Sequence, residues 1–243
     1  ATISGFLSDL LTSYQAGGIT NLGNEAITLK DTNTVAASDL TTLASLNSTG
    51  TLDSSSVATI TGSAVEIISV YSNSTITEPV DVALSVNSGT ISVNQSRTLN
   101  SYTTGIVTGT ITSGTTIAQM LDSDSGITES GENNAYTIAI DSSDSSVQAT
   151  ELTSLNSLTT LKVNALLVTE ITGSIDELNI VYVAGGNNEI SNLGDEAVII
   201  TDTAVSDVIT LNTLSDYTTG TVNAGSLTII EGSLLDLLSV YAS

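Results

Sequence analysis

The stretch Asp122-Ser-Asp-Ser-Gly-Ile-Thr-Glu-Ser130 sets three carboxylates, Asp122, Asp124 and Glu129, around Gly126. Closely spaced acidic side chains supply hard oxygen ligands, and a glycine permits the tight turn that wraps a loop around Ca²⁺. These three residues are the candidate metal ligands, and Ca²⁺ is the candidate cofactor. The stretch is not an EF-hand, because its third acidic position and the spacing to the last glutamate fail. The glycine-rich Ca²⁺-binding nonapeptide is also missing from the chain. A solvated acidic loop would read the same way. Asp141-Ser-Ser-Asp-Ser-Ser146 is a weaker version of the pattern.

Paired carboxylates are also the equipment of glycoside hydrolysis. Here, however, Asp9, Glu66, Glu177 and Asp236 recur at equivalent places in repeated segments. A catalytic site is ordinarily unique, and a carboxylate repeated near helix starts serves more simply as a cap. The chain has no His and no Cys. A thiol nucleophile, an imidazole base, a zinc site and a haem site therefore cannot be built. The expectation is a protein without enzymatic activity.

Charge narrows the partners further. Asp and Glu number 26 against three cations, Lys30, Arg97 and Lys162, for a net charge of -23. Nucleic-acid binding needs clustered Lys and Arg, and an anionic bilayer would repel this chain. No run of 18 apolar residues is present, so membrane insertion is not expected. No basic, apolar leader opens the segment, so any export address is expected outside it. With 40% hydrophobic residues the chain has enough apolar material for a continuous core, unlike a typical acidic disordered segment.

The elements that must position these residues come from a repeat. Gly5, Gly62, Gly173 and Gly232 each stand nine residues before a tyrosine, at Tyr14, Tyr71, Tyr182 and Tyr241. A fainter copy around Gly114 fills the gap, giving successive spacings of 57, 52, 59 and 59. Ile19–Thr32 (ITNLGNEAITLKDT) matches Ile190–Thr203 (ISNLGDEAVIITDT). Leu211–Leu227 (LNTLSDYTTGTVNAGSL) recurs more loosely at 40–57, 97–109 and 152–167. The chain reads as one continuous array over 1–243. Its units are 5–61, 62–113 and 114–172 (both divergent), 173–231, and a partial 232–243.

These three motifs resemble the Ser/Thr/Asp-rich repeats of very large secreted or cell-surface proteins of marine cyanobacteria. The likeness is clearest over residues 1–76 and 150–243. It implies an extracellular or cell-surface location and a structural or adhesive role, and it brings no catalytic residues with it.

Leu234, Leu235, Leu237, Leu238 and Tyr241 fall on one helical stripe. Ser233 with Asp236, Ser63 with Glu66 and Ser174 with Glu177 have capping-box spacing. Ala16–Gly18 and Ala184–Gly186 are expected to end helices through a left-handed glycine. Residues 25–31, 81–87, 134–141 and 196–202 read as strands. The segments GTLDSSSVATITG and GTVNAGSLTIIEG read as further strands bent at their middle. The leucines of DLTTLASL and ELTSLNSL, three apart, suggest a helical turn or a corner. Each repeated tyrosine is expected to pack beneath the next unit, with its hydroxyl on solvent or a backbone carbonyl.

Each unit thus reads strand, short helix, strand, short helix. No unit can bury its apolar face alone, whereas stacked copies can. The predicted fold is a repeat protein: a solenoid of parallel β-strands with short α-helices. A β-helical rod and tandem small α/β domains are the alternatives. The expected function is an extracellular structural or adhesive protein that self-associates head to tail into a filament or surface layer. The alternative is a binding module for cell-surface polysaccharide or for ice through a Thr/Ser-rich face. Asn47, Asn73 and Asn94 begin N-x-S/T sequons.

Overall fold

The computed structural model describes residues 1–127, 134–205 and 207–242. It is a mixed α/β structure with parallel sheets. Two compact units divide it: 1–112 with 126–136, and 113–125 with 137–243.

In the first unit the order is β1 (Thr2–Gly5), α1 (Leu7–Gln15), β2 (Ala26–Leu29), β3 (Thr34–Ala36), α2 (Ala37–Leu46), β4 (Thr51–Asp53), β5 (Thr59–Ser63), α3 (Ala64–Tyr71), β6 (Ile76–Thr77), β7 (Ala83–Ser88), α4 (Val93–Tyr102) and β8 (Val107–Thr110). One sheet runs β1-β2-β4-β6, and another contains β3-β5-β7-β8 in neighbouring order. Each α-helix packs on the next, α1 on α2, α2 on α3 and α3 on α4. In the second unit the order is α5 (Ile117–Met120), β9 (Ala135–Ala139, from Thr137 onward), β10 (Ser146–Gln148), α6 (Ala149–Ser157), β11 (Val163–Asn164), β12 (Glu170–Gly173), α7 (Ile175–Gly186), β13 (Ile190–Ser191), β14 (Ala197–Ile200), β15 (Ala204–Val205), α8 (Ile209–Tyr217), β16 (Val222–Asn223), β17 (Ile229–Ile230) and α9 (Leu234–Ala242). Here β11 lies between β9 and β13, the order β10-β12-β14-β16 forms a second sheet, and β15 pairs with β17.

The strand registers are regular in sequence. In the first unit Thr2 pairs with Ala26, Ala26 with Thr51, Leu52 with Ile76, Thr34 with Thr59, Thr59 with Ala83 and Leu84 with Val107. By subtraction these steps are 24, 25, 24, 25, 24 and 23 residues. In the second unit Ser146 pairs with Glu170, Ile138 with Val163, Val198 with Val222 and Ala204 with Ile229, steps of 24, 25, 24 and 25. Two steps are 27: Val163 to Ile190 and Glu170 to Ala197. Both cross α7, which has 12 residues where α6 and α8 have nine. The three added residues are most of another helical turn.

Alternation explains the strands. In β2, Ile27 and Leu29 are buried while Ala26 and Thr28 are exposed. Ile27, Leu52 and Ile76 stack inward in register, while Thr28, Asp53 and Thr77 point to the other face. The helices dock on this interior. Leu40 and Leu43 of α2, and Leu152 and Leu155 of α6, have no exposed surface. Burying each is worth about 1.5–3 kcal/mol, which outweighs the marginal stability of an isolated nine- or ten-residue helix. The leucine triplets therefore form full helices.

The glycine endings differ from expectation. α1 closes at Ala16 with an extended backbone. α7 runs through Gly185 and Gly186, and Asn188 at φ 66 takes the left-handed place instead. Glu189 N donates to Ala184 O at 2.9 Å and Asn188 N to Gly185 O at 3.0 Å, the paired bonds of a Schellman end. Asparagine tolerates left-handed backbone, so the helix gains a turn before stopping.

Candidate functional site

The most elaborate polar constructions lie where the repeated motifs meet. In the segment Asn21-Leu-Gly-Asn-Glu25, Asn21 and Gly23 have φ of 63° and 124°. This curls the backbone around its own glutamate. Glu25 Oε2 accepts from Gly23 N at 2.8 Å, from Asn24 N at 3.0 Å and from Tyr14 Oη at 2.8 Å. The Gly23 amide, then the tyrosine hydroxyl, hold the Glu25 carboxyl below the usual carboxylate range against the cost of burial. Burial, reinforced by Glu25, pushes Tyr14 up.

The second copy repeats the turn, with Asn192 and Gly194 at φ 61° and 124°. Glu196 is fully buried, and its Oε2 accepts from Gly194 N at 2.9 Å and Tyr182 Oη at 3.3 Å. Its Oε1 is buried without a hydrogen-bond partner. A third tyrosine faces a third glutamate differently. Tyr71 Oη and Glu78 Oε1 are both buried and unpartnered. Burial raises the Glu78 carboxyl, and burial with the Glu78 charge raises Tyr71. Tyr14, Tyr71 and Tyr182 thus face carboxylates rather than solvent or backbone carbonyls, and the side chain of Tyr241 lies outside the described residues. Their rings do pack onward: Tyr71 stacks on Tyr102 at 4.5 Å and Tyr182 on Tyr217 at 5.4 Å between centroids.

The Thr-Thr-Gly motif locks each turn from the following strand connection. Thr218 Oγ1 donates to Glu196 O at 2.7 Å and accepts from Gly220 N at 2.9 Å. Thr103 does the same with Val82 O and Gly105 N, at 2.5 and 2.8 Å. In the first copy Asn47 substitutes. Its Nδ2 donates to Glu25 O at 2.9 Å and its Oδ1 accepts from Glu25 N at 3.1 Å. That sequon asparagine is therefore buried in a backbone clamp. A Cβ on Gly50 or Gly220 would lie 2.1 Å from the carbonyl oxygen of Glu25 or Glu196, so the motif requires glycine.

Several acids serve as helix caps. Glu66 with Ser63 and Glu177 with Ser174 close reciprocal capping boxes. Asp9 does not, because Phe6 occupies the cap position and offers no side-chain acceptor. Its helix is capped from the following strand connection, where Asp31 Oδ2 accepts from Leu7 N at 2.8 Å. Asp144 does this for Ile117 and Asp202 for Ile175, each at 2.7 Å and 27 residues away. Sequence reasoning missed this cross-connection cap, although the aspartate ending LKD and ITD was its visible trace.

The proposed calcium ligands are placed as follows. Asp122 Oδ1 accepts from Asp124 N at 2.9 Å, Ser125 N at 2.6 Å and Ser125 Oγ at 2.8 Å, so it organises its own loop. Asp124 follows in that loop, and Glu129 lies outside the described residues. Among the described residues no group of three or more acidic side chains converges on a point that could hold a metal. Asp141 likewise accepts from Ser143 N at 3.1 Å, which holds its carboxyl low. No described helix is long and apolar enough to cross a membrane.

Clefts border the end of α7 in the second unit. Three of about 410, 450 and 420 Å³ share lining residues: Asn156 and Glu189 border the first two, and Asn188 the last two. No family model, curated protein or solved structure matches the chain.

Proposed function

We propose that the chain is a solenoidal repeat protein with an extracellular structural or adhesive role, and that copies associate end to end. The regular steps of 23 to 27 residues between paired strands support the solenoid reading in each unit. The observation that carries the association is the surface of α9. Aligning Ser233 with Ser174 sets Leu234, Leu235 and Leu238 at the places of Ile175, Asp176 and Asn179. Ile175 is 5% exposed, whereas Leu234 is 76% exposed. Leu235 and Leu238, exposed too, replace polar residues and widen the apolar surface. In the first unit β1 is an edge strand, with Ile3 half-buried and Phe6 exposed. An exposed apolar helix and an open parallel edge are both surfaces that a head-to-tail contact would cover.

Sedimentation velocity of the parent and of the Leu234→Glu/Leu235→Glu protein tests this. The parent should associate with rising concentration, more strongly when salt screens the charge of -23, and the variant should stay monomeric. Weakening by EDTA would mark divalent bridging between acidic sides. A parent that is monomeric at every concentration and salt level overturns the association.

A second reading, a Thr/Ser face for polysaccharide or ice, is favoured by one ladder. Ser4, Thr28, Asp53 and Thr77 align on the outer face of the first sheet, beside Thr2, Ala26 and Thr51. Strands about 4.8 Å apart space this ladder regularly, with hydroxyls at every named position but Ala26 and Asp53. Ice-growth hysteresis that is present in the parent and lost in Thr28→Tyr supports this reading, and absence of hysteresis removes its ice branch.

A further inference from the structure

We infer that the second unit carries a binding groove for a neutral oligosaccharide, wrapped around the last turn of α7. It uses neither α9 nor the threonine ladder, so it goes beyond both readings above. The groove follows from helix length. α7 has three residues more than α6 and α8, so it is about 4.5 Å longer than its neighbours. A projecting turn leaves a notch on each side. The three clefts lie around that turn and share lining residues, and each has the volume of a small-ligand site.

Their lining has a consistent chemistry. The apolar contributions are Ile180, Val183 and Tyr217, all substantially exposed. The polar ones are carboxamides and hydroxyls, with three charged groups, Lys162, Glu189 and Asp216. Asn156 and Asn179 line the cleft between α6 and α7, and Asn188 stands between the other two. A carboxamide both donates and accepts, as a sugar hydroxyl does, while an aliphatic or aromatic wall suits the C–H face of a pyranose ring. Asn179 borders this cleft, and its Oδ1 has no hydrogen-bond partner in the protein, although that atom is itself covered from solvent. Glu189 is engaged with Asn156 Nδ2 at 3.0 Å, which fixes the shared wall. Glu189 and Asp216 outnumber Lys162 along the lining, and with the net charge of -23 they disfavour uronate or sulfated chains, while three adjoining clefts favour an oligomer over a single sugar.

Calorimetric titration of the full chain with maltohexaose, cellohexaose, laminarihexaose and mannohexaose, and with polygalacturonate as the anionic control, tests the groove. Saturable binding of at least one neutral hexasaccharide is expected, with none for polygalacturonate. Asn179→Leu should weaken binding at least about tenfold without lowering the melting temperature, because it deletes a carboxamide at the cleft wall whose oxygen has no protein donor to lose. Asn188→Gly keeps the left-handed backbone while deleting the carboxamide, and should weaken binding too. Thr28→Tyr and Leu234→Glu/Leu235→Glu should bind like the parent, which separates this site from the ladder and from association. Failure of every neutral hexasaccharide to bind, preference for polygalacturonate, or parental affinity in both Asn179→Leu and Asn188→Gly overturns the proposal.

Discussion

Three tyrosines near helix ends face three glutamates, and the differences among them show what a buried carboxylate needs. Glu25 receives two backbone amides and a hydroxyl on one oxygen, so its charged form is favoured. Glu78 has a buried oxygen without any donor, so burial disfavours its charge. The two act oppositely with pH. A carboxyl lowered by folding adds stability above the ordinary range near 4.3, lost as pH falls through its folded value. A raised one, as at Glu78, contributes below that range and loses its contribution as pH rises through its folded value. Glu78→Gln is therefore expected to raise the melting temperature by roughly 2 °C at pH 7 and to leave it unchanged below about pH 4. Calorimetric melts at both pH values check this, and an equal gain at both would show that charge is not the cause. These pairings were only half legible in the sequence. The Gly-to-Tyr spacing marked the tyrosines, but their carboxylate partners lie 11 and 14 residues onward, across a turn whose shape depends on left-handed Asn and Gly.

Helices and strands were more legible than their fastenings. Alternation in EAITLKD and EAVIITD and the Ser-x-x-Glu boxes identified β2, β14, α3 and α7, because both signals depend on neighbours in the chain. The bends in GTLDSSSVATITG and GTVNAGSLTIIEG are turns of four residues, closed by Val57 N to Ser54 O and Leu227 N to Ala224 O, each at 3.0 Å. What sequence reading lacked was the aspartate that reaches back 24 to 27 residues to cap an earlier helix, a contact created only by strand register. That contact predicts a specific cost. Asp202→Ala should remove the acceptor for Ile175 N and lower stability by about 1 kcal/mol, or about 2–4 °C in melting temperature. Asp31→Ala should act similarly on Leu7, and the double variant should show the sum, because the two caps lie in different units. Ser233→Ala, at an exposed cap of the last helix, provides a milder comparison. Thermal melts of the four proteins decide it: a silent Asp202→Ala would mean that Ser174 and Glu177 already satisfy that helix end.

The glycine spacing near 57 residues is longer than two strand steps of about 25, because Gly5 belongs to β1 of one sheet and Gly62 to β5 of another; two strands lie between successive helices, where the reading strand, helix, strand, helix expected one. The shorter step was hidden because alternate turns carry different motifs: Asn-Leu-Gly-Asn-Glu before β2, Ser-Thr-Gly before β4. Gly114 illustrates the limit of letter matching. It sits in an open turn at φ +80, whereas Gly62 and Gly173 press against the methyls of Ala37 and Ala149. If the steps are physically equivalent, removing one complete step must leave a foldable chain. Deleting residues 26–50 joins Glu25 to Thr51. Since Ala26 pairs with both Thr2 and Thr51, β4 then meets β1 with Thr51 opposite Thr2 and Leu52 opposite Ile3. β3 and α2 leave together, so α3 can follow α1 without an orphaned strand. The Asp31 cap is lost, and one set of neighbour contacts with it, so stability should fall while the transition stays cooperative. Deleting 26–37 removes about half a step, strands α2 without the strand that precedes it, and puts the next apolar set out of register. Circular dichroism and calorimetry should find the first protein folded with a lower melting temperature and the second without a cooperative transition. An unfolded 26–50 deletion, or two deletions that behave alike, would mean that the steps are held by contacts particular to each and not by a repeated interface.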